Sequence, residues 1–323
     1  MDTIRLLTAV GPLSVESALA VKDLVSAVTA QRGVSPISEQ PMLWLMEPRV
    51  HVAHIMATED NALVAYGQMD LSNKDEISLE MAVHPDAAGR GLERRLLEAG
   101  AYVAQENDAS FSLWTHAPSA QSIEILTANG FTPSRTLLRL QRSLSDHAGS
   151  ARAEGTRHFV ENQDEEAWLK ANAEAFSWHP EQGKMTRADL EARKREPWFD
   201  ASTFLLAERA TTGISTAGST AGSTAASTAG STAGSTEIAG FSWLKLEPGQ
   251  ETGEIYALGV VPNAQGTGLG MSLLESSLDT LRERGRTAAD LYVEADNAAA
   301  LALYSRFGFT EVERHIKFRQ TRP

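Results

Sequence analysis

The sequence predicts an α+β protein made of two tandem copies of one unit, each a mixed, mostly antiparallel sheet flanked by helices. Three observations carry this. The chain has 323 residues, and at roughly 150 residues per domain that length gives about two domains. Landmarks recur. Glu80-Met81-Ala82-Val83-His84-Pro85, Gly89-Arg90-Gly91-Leu92 and Asn129-Gly130-Phe131 in the first half are answered in the second by Tyr256-Ala257-Leu258-Gly259-Val260-Val261-Pro262, Gly266-Thr267-Gly268-Leu269-Gly270 and Phe307-Gly308-Phe309. The offset is about 177 residues each time, roughly half the chain. Between landmarks both copies read strand, glycine-rich turn, amphipathic helix, strand, helix, strand.

In chain order, β-branched and aromatic enrichment predicts strands over 50–56, 62–69 and 110–114. Leu92, Leu96, Leu97 and Ala101 give the first copy's helix its apolar face. The first domain is read as 1–143. A joining stretch follows over 144–156, where Ser145-Asp146-His147-Ala148-Gly149-Ser150 lacks apolar periodicity. The second domain is read as 157–323, with strands over 203–207, 238–246 and 290–293. Its helix carries Leu269, Leu273, Leu274, Leu278 and Leu281 on one face and ends at Gly285, a residue suited to the left-handed turn after a helix. Residues 215–236 contain only Ser, Thr, Ala and Gly. Such a tract has no large apolar side chain to offset its ordering entropy, so it reads as a loop expansion between two strands. Loop closure tolerates the extra length because its cost grows only logarithmically.

Composition excludes several classes of function. The formal charge is −13, which repels a phosphate polyanion, and the cluster Arg193-Lys194-Arg195 is too short to build a nucleic-acid groove. There is no cysteine, hence no disulfide, no thiolate nucleophile and no Cys-ligated metal. The eight histidines show no His-Glu-x-x-His spacing, so no metal is expected. No run approaches ~20 apolar residues, and Met1-Asp2-Thr3-Ile4-Arg5 does not open a secretory signal. A soluble, cytoplasmic, monomeric protein with no membrane or nucleic-acid partner is expected.

The most informative stretch is Gln265-Gly266-Thr267-Gly268-Leu269-Gly270, after a strand and at the mouth of a helix. Glycines let the backbone turn sharply. The helix behind adds unpaired N–H groups and partial positive charge, a combination suited to a pyrophosphate. A Walker A loop is excluded because no Gly-Lys-Ser/Thr follows, and the spacing does not fit the dinucleotide fingerprint. A purely structural turn stays open at this point. In the first copy the matching turn reads Ala88-Gly89-Arg90-Gly91-Leu92-Glu93. There Glu93 brings a carboxylate that repels a bound pyrophosphate, while Arg90, Arg94 and Arg95 are available to offset it.

Gln265, Gly268 and Gly270, followed by Asn297, Ala300, Tyr304 and Phe307-Gly308-Phe309, resemble the acetyl-CoA signature of the GCN5-related N-acetyltransferase (GNAT) superfamily. The segments 176–183, 196–200 and 291–297 are similar to the tandem-domain mycothiol acetyltransferase family, and the resemblance spans nearly the whole chain apart from the 215–236 tract. It implies acetyl transfer from acetyl-CoA, as co-substrate, to the cysteinyl amine of cysteinyl-glucosaminyl-inositol. It also implies that Leu258, Gly259, Val260, Gln265, Gly266, Thr267, Gly268, Leu269, Gly270 and Met271 hold the cofactor, together with Asn297, Ala298, Ala299, Ala300, Leu301 and Ala302. In the first copy the corresponding positions are Met81, Ala82, Val83, Gly89, Arg90, Gly91, Leu92, Glu93 and Arg94.

Acetyl transfer to an amine needs a base for the ammonium, stabilisation of an oxyanion and an acid for the departing thiolate. Without cysteine, direct attack in a ternary complex replaces an acyl-cysteine route. The resemblance gives Glu254 the base's role and Tyr304 the acid's. The alternatives are a solvated strand-end carboxylate and a core tyrosine packed on Phe307. For the acceptor it points to Glu39, Glu181, Lys245, Glu254 and Tyr292, side chains able to hydrogen-bond a polyhydroxylated sugar. Glu39 reads equally as a capping or surface residue, Lys245 as an ordinary strand lysine and Asn297 as a helix cap. Two other functions stay open: a tandem N-acetyltransferase for another small amine, and a non-catalytic acetyl-CoA-binding regulatory protein.

Overall fold

The computed structural model describes residues 4–48, 51–145, 155–179, 182–210 and 236–320. The helical and strand elements, in order, are β1 (Arg5–Val10), α1 (Val15–Arg32), α2 (Glu39–Leu43), β2 (Val52–Glu59), β3 (Ala62–Asp70), β4 (Glu76–Val83), α3 (Leu92–Glu106), β5 (Ser110–His116), α4 (Ala120–Ala128) and β6 (Phe131–Ser143). The second half adds β7 (Thr156–His158), α5 (Glu165–Ala175), α6 (Arg187–Lys194), β8 (Phe204–Ala210), β9 (Thr236–Lys245), β10 (Thr252–Val260), α7 (Leu269–Glu283), β11 (Ala288–Glu294), α8 (Ala298–Arg306) and β12 (Thr310–Gln320). The predicted strands and both predicted helices are present, with ends displaced by a few residues. Most of the 144–156 joining stretch and all of the 215–236 tract except Thr236 lie outside the described residues. Strands β8 and β9, which flank that tract, form an antiparallel pair that extends to Ala210 opposite Thr236.

Two compact units emerge. The first comprises Met1–Leu140, Val293–Ala302 and Glu311–Pro323; the second comprises Gln141–Tyr292 and Leu303–Thr310. Compactness thus divides the chain differently from the sequence repeats. The last strand, β12, lies between β5 and β6 in the first unit, with His315 opposite His116 and Phe318 opposite Leu113. Sequence periodicity identifies a strand there but does not say which strands it pairs with.

In the first unit β1 to β4 form an antiparallel meander, and β4 runs parallel to β5. One sheet face buries Leu92 and Leu96 of α3 with Ile55, Leu79, Phe111 and Phe318. The other buries Val21, Leu24 and Val28 of α1 with Tyr66. Helix α1 begins at Ser14, whose hydroxyl accepts the Ser17 N–H, and stops at left-handed Gly33, whose N–H returns to the Thr29 carbonyl.

The second unit repeats the plan. Strands β8, β9 and β10 are antiparallel neighbours, and β10 runs parallel to β11. Leu273, Leu274, Leu278 and Leu281 of α7 are fully buried, as the apolar stripe predicts. An aromatic core gathers Trp168, Phe204, Phe241 and Trp243; Phe204 stacks on Trp243 with ring centroids 4.7 Å apart. Among the described residues no helix is long and apolar enough to cross a membrane.

Because Phe318 and Ile316 of β12 complete the first unit's core, Phe318→Ala is expected to cost the full-length protein about 3–5 kcal/mol. Denaturant unfolding reads this as a lowered midpoint with little change in slope.

Candidate active site

Strand β10 positions the site. Its parallel pairing with β11 runs from Thr252 opposite Ala288 to Glu254 opposite Asp290, and a bulge follows between Ile255 and Ala257. A bulge adds local twist and bends its strand, so beyond Glu254 β10 leaves β11 while keeping β9: Leu258 opposes Ser242, Gly259 opposes Phe241 and Val260 opposes Gly240. The β11-facing edge of Leu258, Gly259 and Val260 thereby presents backbone groups that a linear amide-containing ligand can pair with. Glycine at 259 is a packing requirement, since a Cβ there would lie 2.6 Å from Phe241 Cζ.

The turn follows directly. Gly266 and Gly268 have φ of 75° and 90°, the left-handed region that glycine enters without strain. A Cβ on either would meet nothing within 4 Å, so conformation rather than space selects glycine here. The Gln265 amide donates to the Val260 carbonyl at 3.0 Å, and the Thr267 hydroxyl donates to the Ala264 carbonyl at 2.7 Å. These two side chains brace the turn from within. Gly268 caps α7 with no side-chain acceptor, which leaves the first-turn N–H groups of Leu269, Gly270 and Met271 for an external anion. Gly270 lies inside the helix, where a Cβ would make only ordinary contact with Val260 at 3.6 Å. The residues therefore fit a pyrophosphate at the turn and a thioester arm along β10.

Glu254 and Lys245 are directly opposed across β10 and β9, a placement that brings cross-strand side chains together. Lys245 is not an ordinary exposed lysine: its side chain is 14% exposed and pairs with Glu247 at 3.3 Å. Its ammonium sits 5.1 Å from the Trp198 ring centroid and 5.8 Å from that of Tyr256, a cation–π arrangement. The buried Arg193 guanidinium donates to the Tyr256 hydroxyl. Tyr256, Trp198 and Arg193 were not singled out from sequence for any role. Strand alternation offered a signal for Tyr256, two residues beyond Glu254; Trp198 lay within the family-like segment 196–200 without a role of its own, and no local pattern indicated Arg193 as a partner of Tyr256.

Tyr304, on α8, is buried and meets Phe309 edge-on with ring centroids 5.8 Å apart. Burial pushes its phenol up to about 12, because a charged phenolate is poorly solvated there. Tyr292 on β11 is exposed. The Asn297 side chain accepts the Ala300 N–H at 3.1 Å, capping α8. Ala298, Ala299 and Ala302 are exposed, and Ala300 and Leu301 half-buried. Glu39 opens α2 and is half-buried. Glu181 lies outside the described residues. The second unit thus contains Lys245, Glu254, Leu258, Gly259, Val260, the turn, Tyr292 and Tyr304, while Glu39 and Asn297 to Ala302 are in the first. Among the described residues no group of three His, Asp or Glu side chains is arranged to hold a metal.

The first unit keeps the same backbone plan. Parallel pairing of β4 with β5 ends at Leu79 opposite Leu113, ahead of Met81, Ala82 and Val83. Gly89 and Gly91 repeat the left-handed pattern at φ of 74° and 76°. Its arginines, however, are committed. Arg90 forms a two-pronged pair with Glu59 at 2.8 and 2.5 Å, Arg94 pairs with Glu98 at 3.3 Å, and Arg95 donates to the Ile4 carbonyl at 3.4 Å. Glu93 in the first turn of α3 adds negative charge where the second unit has Gly270.

The acetyltransferase (GNAT) family model matches residues 25–131 and 172–309, one match in each half. A mycothiol acetyltransferase of Jonesia denitrificans is 38% identical over 330 residues, covering 99% of this chain and 96% of the relative. One from Streptomyces scabiei is 36% identical over 310 residues, covering 94% and 91%. Among solved structures, a tandem GNAT protein from the clavulanic acid biosynthesis pathway has a TM-score of 0.64 at 13% identity, covering 99% of this chain and all of that one. A GCN5-related N-acetyltransferase from Sphaerobacter thermophilus gives 0.63 at 20% identity, covering 99% and 96%; both share the fold. The chain belongs to the acetyltransferase (GNAT) family and, within it, to the mycothiol acetyltransferases.

The two kinds of glycine separate experimentally. Gly268→Ala should cost about 1–2 kcal/mol through backbone strain, whereas Gly259→Ala should cost about 1–3 kcal/mol through overpacking. Adding Phe241→Leu should recover stability in the second variant only, as measured by chemical denaturation.

Proposed function

We propose that this chain transfers acetyl from acetyl-CoA to the cysteinyl amine of cysteinyl-glucosaminyl-inositol, forming mycothiol, with the chemistry in the second unit. The observation that carries the acetyl-CoA assignment is the diverging strand β10, which joins an acidic residue at one end to an anion-cradling turn at the other. The acceptor assignment rests on relatives of 35–38% identity over nearly the full length that bear the mycothiol acetyltransferase name.

In this reading Leu269, Gly270 and Met271 bind the pyrophosphate, the Leu258, Gly259 and Val260 backbone holds the pantetheine arm and the acetyl group, and Asn297 to Ala302 complete the coenzyme site. Glu39, Glu181, Lys245, Glu254 and Tyr292 bind the acceptor. Glu254 takes a proton from the acceptor ammonium. The freed amine attacks the acetyl carbonyl, forming the C–N bond, and backbone N–H groups stabilise the oxyanion. The C–S bond then breaks, Tyr304 donates its proton to the leaving sulfur, and the attacking nitrogen gives its remaining extra proton to the resulting phenolate, which leaves a neutral amide, a free thiol and a protonated Tyr304. The low-polarity surroundings that keep the Tyr304 phenol protonated also disfavour a bare thiolate, so acid and leaving group move together. The first unit's turn residues, from Met81, Ala82 and Val83 through Gly89, Arg90, Gly91, Leu92, Glu93 and Arg94, form a second, non-catalytic coenzyme site. We assign the sequence repeats to 1–143 and 157–323, and the reaction to a cytoplasmic monomer.

An acetylation assay offering cysteinyl-glucosaminyl-inositol and simple amines tests the acceptor. Turnover of the former at a far higher kcat/KM is expected; turnover of simple amines alone makes this a different N-acetyltransferase. Tyr304→Phe should lower kcat by about 10²-fold or more with little change in acetyl-CoA affinity. The same residue predicts a stability signature. Burial raises its folded value above the ordinary phenol value of about 10, so above that pH unfolded chains lose the proton first. Wild-type stability should therefore fall relative to Tyr304→Phe as pH rises from about 10 toward about 12, and the two should run parallel below that window.

A further inference from the structure

Within the first unit, two buried polar chains converge on α2, the five-residue helix that begins with Glu39. One grips its start. The Glu80 carboxylate accepts the Ser38 backbone N–H at 2.6 Å and the Ser38 hydroxyl at 2.7 Å. Ser38 occupies the N-cap position, yet its hydroxyl does not cap the helix. It is spent on Glu80 instead. Behind Glu80, His116 Nε2 lies 3.0 Å away, bridging β4 and β5 just past the point where their pairing ends. His116 Nδ1 is 2.8 Å from His315 Nδ1 on β12, a separation at which one ring nitrogen donates and the other accepts. The second chain grips the middle of the helix: the Gln68 amide donates to the Pro41 carbonyl at 3.0 Å, and the Tyr66 hydroxyl donates to Gln68 Oε1 at 2.8 Å.

Glu80, His315, Gln68 and Tyr66 are all buried. Aliphatic side chains of similar size would fill that space without the desolvation cost of a carboxylate, two imidazoles and an amide. What directional partners add over aliphatic packing is a fixed place for the backbone they hold. Here that backbone is the short segment on either side of Glu39.

We propose that Glu80 and Gln68 are positioning residues that set the placement of Glu39 for the acceptor. The inference rests on the assignment of Glu39 as an acceptor ligand in the proposed function.

The test uses the full-length protein with acetyl-CoA and cysteinyl-glucosaminyl-inositol varied in turn, for wild type, Glu39→Gln, Glu80→Gln, Gln68→Leu and the two double variants with Glu39→Gln. Glu80→Gln and Gln68→Leu should each raise the acceptor KM roughly three- to thirtyfold, leaving kcat and the acetyl-CoA KM within about twofold. In the Glu39→Gln background either change should add little. Glu80→Gln keeps one accepting oxygen and should be milder than Glu80→Leu. Because the two residues hold α2 from different points, failure of one variant to fold leaves the other as the test. Fully additive effects, or equal losses toward both substrates, overturn the proposal and reduce the clamp to a packing feature. An unchanged acceptor KM in Glu39→Gln overturns it together with the Glu39 assignment, while acetyl transfer itself stands. Absence of wild-type turnover with this acceptor overturns the proposed function and the clamp's role with it.

Discussion

The parting of β10 from β11 after the Glu254–Asp290 pair is the constraint on which the rest of the second unit depends. A buried strand edge with unpaired amides and carbonyls is costly unless something pairs with it. The bulge between Ile255 and Ala257 makes such an edge deliberately. It takes the Leu258 to Val260 backbone away from β11 and sends the chain into a turn whose left-handed glycines deliver it to the mouth of α7. Glu254, the diverging edge and the glycine turn are consecutive features of one strand–turn–helix segment, so their spacing follows from backbone geometry. The packing of Phe241 against Gly259 holds that edge from the opposite direction.

The two units show what a duplicated frame keeps and what it lets go. Both retain the early end of the parallel pairing and the left-handed turn. The differences lie in side chains. In the second unit, opposed Glu254 and Lys245 are set against an aromatic wall. In the first, the corresponding gap is bridged by Glu80 and His116, and the arginine nearest the turn is held by Glu59, which also keeps that carboxylate below the usual range.

Much of this was legible in the sequence. The repeat, the strands, the leucine stripe of α7 and the turn all follow from local rules of periodicity and glycine conformation, and local rules survive folding. The pairing partner of β12 was not legible, because alternation marks a strand without naming its neighbours. The surroundings of Lys245 were hidden for a related reason: Trp198 comes from a distant stretch, and Tyr256 on the neighbouring strand reads as an ordinary aromatic. Glu80 looked like a polar position in an alternating strand, and its burial depends on Ser38, His116 and His315 arriving from three other elements. For the proposed site residues the same division holds. The glycine turn before α7 was readable from spacing, the roles of Glu254 and Leu258 to Val260 came from the family resemblance, and Glu39 and Lys245 gained a physical context only from tertiary contacts.

Amide hydrogen exchange with and without acetyl-CoA tests the central claim most directly, since it reads the backbone groups said to grip the ligand. Slowed exchange should concentrate at Leu258, Gly259 and Val260 and at the start of α7, from Leu269 to Met271, with weaker change at Met81, Ala82 and Val83. Saturable binding that leaves the β10 edge and the α7 start exchanging as in the free protein would contradict the account.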